Sequence, residues 1–221
     1  VSFVHALDVI EDGDTRTAAM HMAIDEALLH AAKRPTLRFY RWGSPAVSFG
    51  YFSRLEDVRA FSSDRELVRR WTGGGIVMHG HDLTYSFVIP PSDSLFGKPA
   101  REIYALLHGA IAAALARTGI DATLAASTSP RISDACFANA VHADVLIDGR
   151  KVAGAAQRRS RAGLLQQGSI QMDSLPQEFA REFSVALCVA PRAVELSSQC
   201  LDAARKLAEQ KYGTAAWLTR R

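Results

Sequence analysis

An α+β fold is what this sequence predicts, and three patterns predict it. Two amphipathic helices stand out, one over about Thr17 to Ala32 and a longer one over Arg101 to Arg117, with apolar residues recurring at helical spacing. Asp148-Gly149 joins two runs of alternating apolar residues, the mark of a β-hairpin. Between strand-forming runs lies Arg69-Arg70-Trp71-Thr72-Gly73-Gly74-Gly75, whose three glycines weaken any regular element but let backbone N–H groups lie close against a ligand. A length of 221 residues suits one large domain, or one domain with a small appendage.

In chain order, residues 3–9 read as a first strand. Glu11-Asp12-Gly13-Asp14-Thr15 is a turn rich in helix-capping residues. Met20, Ile24, Ala27, Leu28 and Ala31 give the first helix its apolar face, Pro35 ends it, and Asp25 and Glu26 fall on its expected solvated face. Leu37–Trp42 and Ala46–Gly50 read as strands joined by Gly43-Ser44-Pro45. A short helix over Leu55–Phe61 precedes the strand Glu66–Trp71, which enters the glycine loop, and Thr84–Ile89 leaves it. Ile103, Leu107, Ile111 and Leu115 stripe the long helix, and Gly119 follows as its C-terminal stop. A short strand near Ala122–Ala125 leads into a polar loop over 127–134, with Cys136 at its end. His142–Ile147, Lys151–Gln157 and Leu164–Met172 are three further strands, the last two separated by a basic turn over Arg158–Gly163. Two or three short helices follow Leu175.

Composition narrows the function classes. Apolar residues make up 48% and charged residues 22%, which is ordinary globular material. A net charge of +3, from 26 basic and 23 acidic residues, is too mild to imply nucleic acid and suits docking onto acidic proteins. Three cysteines, Cys136, Cys188 and Cys200, form neither a disulfide framework nor a CxxC metal pair; with no signal-peptide pattern, a reducing cytoplasm is expected. No apolar run approaches the ~20 residues of a membrane span.

Chemistry has few places to reside. Lys151 stands in Gly149-Arg150-Lys151-Val152-Ala153-Gly154-Ala155-Ala156-Gln157, where small neighbours leave room for a ligand beside a strand ammonium; on the residues alone a solvated hairpin lysine is an equal reading. Cys136 alone reads as a small buried hydrophobe, and Cys188 and Cys200 as packing. His79 and His81 lack a third ligand at metal spacing; His79 is then a loop-end hydrogen-bonder or a pocket wall. Arg158, Arg159 and Arg161 are solvated or form a docking patch for an acidic protein.

Four segments in order carry a family resemblance: Arg69 through His79, Met22-Ala23-Ile24-Asp25-Glu26-Ala27-Leu28-Leu29, Gly149 through Arg159, and Gln167-Gly168-Ser169-Ile170. Together they resemble the lipoate–protein ligase A, octanoyltransferase and biotin ligase superfamily over about residues 2–175. The resemblance implies a class II synthetase-like catalytic domain, with a mixed or antiparallel sheet and packed helices. It also implies one domain, with a helical segment over about 176–221 and no accessory domain. Members join octanoyl or lipoyl groups to one lysine of lipoyl carrier domains. By resemblance Lys151 is the essential lysine, and Asp144 matches an acidic position near the adenylate of the ligases. Arg70, Thr72, Gly73, Gly74, Gly75, Val77, His79, Gly154, Gln157 and Gly168 occupy substrate-contacting positions.

Two chemistries divide the family. Ser133-Asp134-Ala135-Cys136-Phe137 resembles the nucleophile loop of the LipM-type octanoyltransferases, which take octanoate from acyl carrier protein through a cysteine thioester and require no cofactor. Gly73-Gly74-Gly75 and Asp144 are closer to the ligases, which use ATP and Mg to form lipoyl-adenylate. Gln167 stands where both branches commonly carry histidine. A transferase acting through Cys136 and Lys151 is the first reading, an ATP-dependent ligase the second, and a non-catalytic lipoyl-domain binder the third. The implied partners are acyl carrier protein and the lipoyl domains of glycine cleavage H protein or 2-oxo acid dehydrogenase E2, with no nucleic acid, no membrane and a monomeric state.

Overall fold

Eleven strands and six helices, in a computed structural model that describes residues 3–128 and 140–220, form two sheets with helices on both sides of the larger. The chain runs β1 (Asp8–Asp12), α1 (Ala18–Ala31), β2 (Thr36–Tyr40), β3 (Ala46–Phe49), α2 (Leu55–Val58), β4 (Glu66–Arg69), β5 (Ile76–His79) and β6 (Leu83–Ile89). It continues through α3 (Ala100–Arg117), β7 (Thr123–Leu124), β8 (Val145–Ile147), β9 (Arg150–Ser160), β10 (Gly163–Ile170), α4 (Phe179–Leu187), β11 (Arg192–Ala193), α5 (Ser198–Leu207) and α6 (Ala215–Leu218). The large sheet has the order β11-β1-β2-β6-β10-β9-β8-β7 and the small one β4-β3-β5. Pairing is parallel at β11/β1, β1/β2 and β3/β4 and antiparallel elsewhere, so the expected mixed sheet is what forms.

Strand alternation gives the large sheet two faces. Leu37, Phe39, Tyr85, Phe87, Leu164 and Ile170 face α3 and α4, where Ile103, Leu107, Ile111, Phe179 and Phe183 complete one core. Tyr40, Val88 and Leu165 face the other way, onto Met22, Ala23 and Ile24 of α1, with Cys200, Ala204, Tyr212 and Trp217 of the C-terminal helices beyond them. Helix α1 is therefore enclosed on both sides. That corrects the expectation for its carboxylates: Asp25 is fully buried and Glu26 nearly so. Burial of an unpaired charge would be very costly. Each is paired instead: Asp25 Oδ1 accepts from Arg38 at 2.7 Å, and Glu26 accepts from Lys211 at 2.5 Å and from the Tyr212 hydroxyl.

Other boundaries shift for local reasons. The first strand begins at Asp8 rather than at residue 3; Phe3 and Val4 instead donate their N–H groups to Leu187 O. The segments either side of Gly43-Ser44-Pro45 are not a hairpin, because β2 joins the large sheet and β3 the small one. The basic turn is mostly strand, since β9 runs on to Ser160. Helices α1 and α3 lie within one residue of their expected ends, Thr17 capping the first and Gly119, at φ +82°, following the second.

Candidate active site

A cleft opens where the small sheet meets one face of β9 and β10. Its walls are apolar at Met22, Tyr40, Trp42 and Val77 and polar at Arg70, His79 and Lys151; backbone of Gly154, Ala155, Ala156 and Gly168 forms the strand side.

The strand side is narrow by sequence. A Cβ on Gly154 would stand 2.5 Å from Lys151 Cε and 2.8 Å from its Nζ, so only glycine leaves the lysine its place. Lys151 Nζ lies 2.8 Å from Asp144 Oδ2. Asp144 Oδ1 accepts from Tyr104 Oη at 2.5 Å, and Oδ2 accepts from Val141 N–H at 2.7 Å. The Tyr104 oxygen in turn accepts Ala155 N–H at 3.1 Å, joining α3 to β9 behind the lysine. Burial, followed by the Asp144 charge, raises the Tyr104 hydroxyl far above the usual tyrosine range, so it stays a donor. His108, one turn along α3, donates Nδ1–H to Ala143 O at 2.7 Å. Burial pushes its pKa down to about 4.

Arg70 and Val77, which also line the cleft, flank the glycine loop. Gly74 has φ +85°, a conformation that favours glycine. The loop rests on Gly50, where a Cβ would meet Gly74 O at 2.0 Å. The two arginines before the loop divide the work. Arg69 points away and ties α6, through Trp217 O and Leu218 O, to the segment after β3, through Tyr51 O and Ser53 O. Arg70 lies under the loop, donating to Gly73 O at 3.0 Å and Gly75 O at 2.8 Å. The loop is joined to the strand side by Thr72, whose Oγ1 donates to Gln167 Oε1 at 2.8 Å, while Gln167 Nε2 donates to Asp25 Oδ2 at 2.7 Å.

His79 sits at the inner end, its ring stacked on Trp42 at 4.0 Å between centroids. Burial lowers its pKa, with Asp82 acting in the opposite direction. The imidazole is held between Asp82 Oδ2, 2.8 Å from Nδ1, and Ser48 Oγ, 2.6 Å from Nε2.

Of the positions singled out from sequence, Arg70, Val77, His79, Lys151, Gly154 and Gly168 line one cleft. Thr72 and the three glycines do not line it themselves; they are tied to its lining by the bonds from Thr72 to Gln167 and from Arg70 to Gly73 and Gly75, and Asp144 stands behind Lys151. Gln157 is placed on the opposite face of the sheet, donating to Gln166 Oε1 at 2.6 Å in a chain that continues to the Tyr85 hydroxyl. Cys136 lies outside the described residues. Cys188 and Cys200 are buried, and burial raises the Cys200 thiol. Tyr104, Ser48, Trp42 and Asp82 are parts of the site that the residue-by-residue reading passed over. Only Asp82, three residues after His79, carries a spacing that could have signalled it.

The basic residues resolve differently. The Arg158 guanidinium lies 4.7 Å over the Trp71 ring and 4.9 Å over Tyr51, and Arg159 donates to Phe96 O and Lys98 O. Among the described residues no group of three His, Cys, Asp or Glu side chains is placed to hold a metal, and no helix is long and apolar enough to cross a membrane.

A family model described as the lipoyl protein ligase A/B catalytic domain matches residues 17–196. An octanoyltransferase LipM of Oceanobacillus iheyensis is 39% identical over 164 residues, covering 70% of this chain and 60% of that protein. One of Symbiobacterium thermophilum is 40% identical over 179 residues, covering 73% and 64%. The chain thus spans under two thirds of the length of these relatives. A putative lipoate protein ligase of T. acidophilum with bound lipoic acid shares the fold, with a TM-score of 0.77 over 96% of this chain and 98% of that one at 21% identity.

Proposed function

Because the chain belongs to the lipoyl protein ligase A/B catalytic domain family, we propose that it transfers an octanoyl group from acyl carrier protein to one lysine of a lipoyl domain. Cys136 is the nucleophile and Lys151 the electrostatic partner. The observation that carries this reading is the placement of the Lys151 ammonium, nearly buried, in a cleft lined in part by Met22, Tyr40, Trp42 and Val77. The described ends of the chain that bears Cys136 meet beside it. Ala125 N–H donates to Asp144 O, Ala143 N–H donates to Ala125 O, and His142 N–H reaches Thr128 Oγ1 at 3.3 Å.

The chemistry balances in two displacements. The Cys136 thiolate attacks the thioester carbonyl carbon, Lys151 stabilises the oxyanion, and the carrier thiolate leaves as the new C–S bond forms. The neutral amine of the acceptor lysine then attacks the acyl-enzyme. Its C–N bond replaces the C–S bond, a proton leaves the nitrogen, and the Cys136 thiolate returns. No nucleotide or metal is consumed. Acceptors of this reading are glycine cleavage H protein or a 2-oxo acid dehydrogenase E2 lipoyl domain, met by a monomer in the cytoplasm.

A second reading has its own support. The Gly73-Gly74-Gly75 loop and the Asp144–Lys151 pair are ligase-like, and in that reading ATP activates the acyl carboxylate while Lys151 holds the phosphate of the acyl-adenylate. Intact-mass measurement after incubation with octanoyl-carrier protein, without ATP, separates the two. A hydroxylamine-labile octanoyl adduct on the wild type, whose thioester form is lost in Cys136→Ser, is expected. Absence of any adduct, with transfer appearing only on addition of ATP and lipoate, would establish the ligase.

A further inference from the structure

We infer that Ser48 is a positioning residue that sets the shape of the glycine loop, as the middle member of a buried side-chain chain running Asp82–His79–Ser48–Arg70. The inference deepens the acyl-transfer reading and concerns the same cleft, but neither sequence pattern nor family comparison points to Ser48.

The direction of every proton in the chain follows from its fixed ends. Asp82 only accepts. Its Oδ2 takes bonds from Ser169 Oγ at 2.6 Å and Thr84 Oγ1 at 3.0 Å as well as from His79, and its Oδ1 takes Gly80 N–H at 3.1 Å. Trp42 Nε1–H at 2.8 Å occupies the Thr84 oxygen from behind, so the Thr84 proton must point to Asp82. His79 therefore carries its proton on Nδ1 and presents a lone pair at Nε2. Ser48 donates its hydroxyl proton to that lone pair at 2.6 Å. Arg70, which can only donate, then fills the Ser48 oxygen at 2.7 Å and turns its other nitrogen to the carbonyls of Gly73 and Gly75.

With those two carbonyls drawn onto Arg70, the loop has one defined shape. Ser48 sits in mid-strand between Val47 and Phe49, both fully buried in the small apolar cluster on the other face, so alternation alone aims its hydroxyl into the cleft. Removing it leaves Arg70 and His79 facing each other with nothing between them.

Ser48, His79 and Asp82 also have the spacing of a nucleophile, its base and the base's orienting carboxylate. The positioning role is favoured because Arg70 already occupies the serine oxygen and the chain terminates on loop carbonyls.

The test uses the full chain as wild type, Ser48→Ala and Ser48→Thr. Nitrogen NMR of the wild type should show His79 protonated at Nδ1 and not at Nε2, and slowed exchange of the Arg70 guanidinium protons that speeds up in Ser48→Ala. In octanoyl transfer, Ser48→Ala should raise KM for octanoyl-carrier protein about tenfold, the effect of losing one hydrogen bond to a charged group. Its kcat should stay within about threefold, and Ser48→Thr, which keeps the hydroxyl, should restore KM. An Nε2-protonated His79, or an unchanged Arg70 signal and KM in Ser48→Ala, would overturn the assignment. An octanoyl ester on Ser48 in the wild type would overturn it in favour of a nucleophile. A wild type that transfers no octanoyl group would defeat the acyl-transfer reading while the NMR signals still decide the role of Ser48.

Discussion

Lys151 Nζ and Asp144 Oδ2 stand 2.8 Å apart with their side chains 7% and 0% exposed, an ion pair almost wholly withdrawn from water. Removing one member of such a pair strands the other and typically costs about 3–5 kcal/mol. Asp144→Asn should therefore lower stability by about 3 kcal/mol and reduce octanoyl transfer more than tenfold. Lys151→Met should abolish transfer. Urea unfolding alongside a transfer assay checks both, and wild-type stability in Asp144→Asn would contradict the pairing.

Tyr104 separates support from contact. Tyr104→Phe removes the donor to Asp144 Oδ1 and the acceptor for Ala155 N–H. A loss of about 1–2 kcal/mol is expected from these two bonds, with a fall in kcat for transfer smaller than that of Asp144→Asn. Equal kinetic defects in the two variants would mean that Tyr104 acts on the substrate directly.

Two glycines should respond oppositely to alanine. At Gly50 the new methyl would meet Gly74 O at 2.0 Å and Gly73 backbone at 2.8 Å, so the loop must move. Gly50→Ala should cost about 2–3 kcal/mol and most of the activity. A Cβ on Gly73 meets nothing within 4 Å, so Gly73→Ala should leave stability within about 0.5 kcal/mol of wild type. A thermal melt of each variant decides the contrast, and any activity lost in Gly73→Ala then reports the ligand's own need for that space.

Acid should unfold the chain earlier than its carboxylates alone require. Burial, reinforced by Arg38, pushes His21 down to about 3, and burial pushes His108 down to about 4. Both are neutral in the fold, whereas in the unfolded chain they protonate near the ordinary value of about 6.5. Below that value the unfolded state binds more protons, so stability falls as pH falls, by about 2 kcal/mol for the pair between pH 6.5 and 5.5. His108→Asn should remove about half of the slope. Urea titrations at the two pH values measure it; half of that slope in the wild type would mean that one ring is protonated in the fold, and a flat profile that both are.

Much of this architecture is legible in the chain itself. The stripes of α1 and α3, the Asp148-Gly149 hairpin and the glycine loop between strands are local patterns, and local patterns survive folding. What the residues hide is partnership over long separations. Asp25 looks solvated because nothing near it in sequence reveals that the C-terminal helices cover α1, or that Arg38 arrives from β2. Ser48 and Tyr104 are ordinary strand and helix residues until the fold sets them against His79 and Asp144. Gln157 misleads for the opposite reason. It shares odd parity with Lys151, but the β8/β9 register shifts between the partners of Lys151 and Ala153, so alternation does not carry one face along the strand, and Gln157 falls on the side of Gln166 and Tyr85.

The bond from Thr72 to Gln167 has a bearing on how rate measurements are to be read. The joint between loop wall and strand wall is made by a hydroxyl and an amide, neither of which gains or loses a proton in the range where enzymes are assayed. A histidine at position 167 would have made the width of the cleft itself a titrating quantity. With glutamine there, this joint does not titrate. If the loop moves with pH, the movement is then traced to the chain from His79 through Ser48 to Arg70 rather than to the bond at position 167.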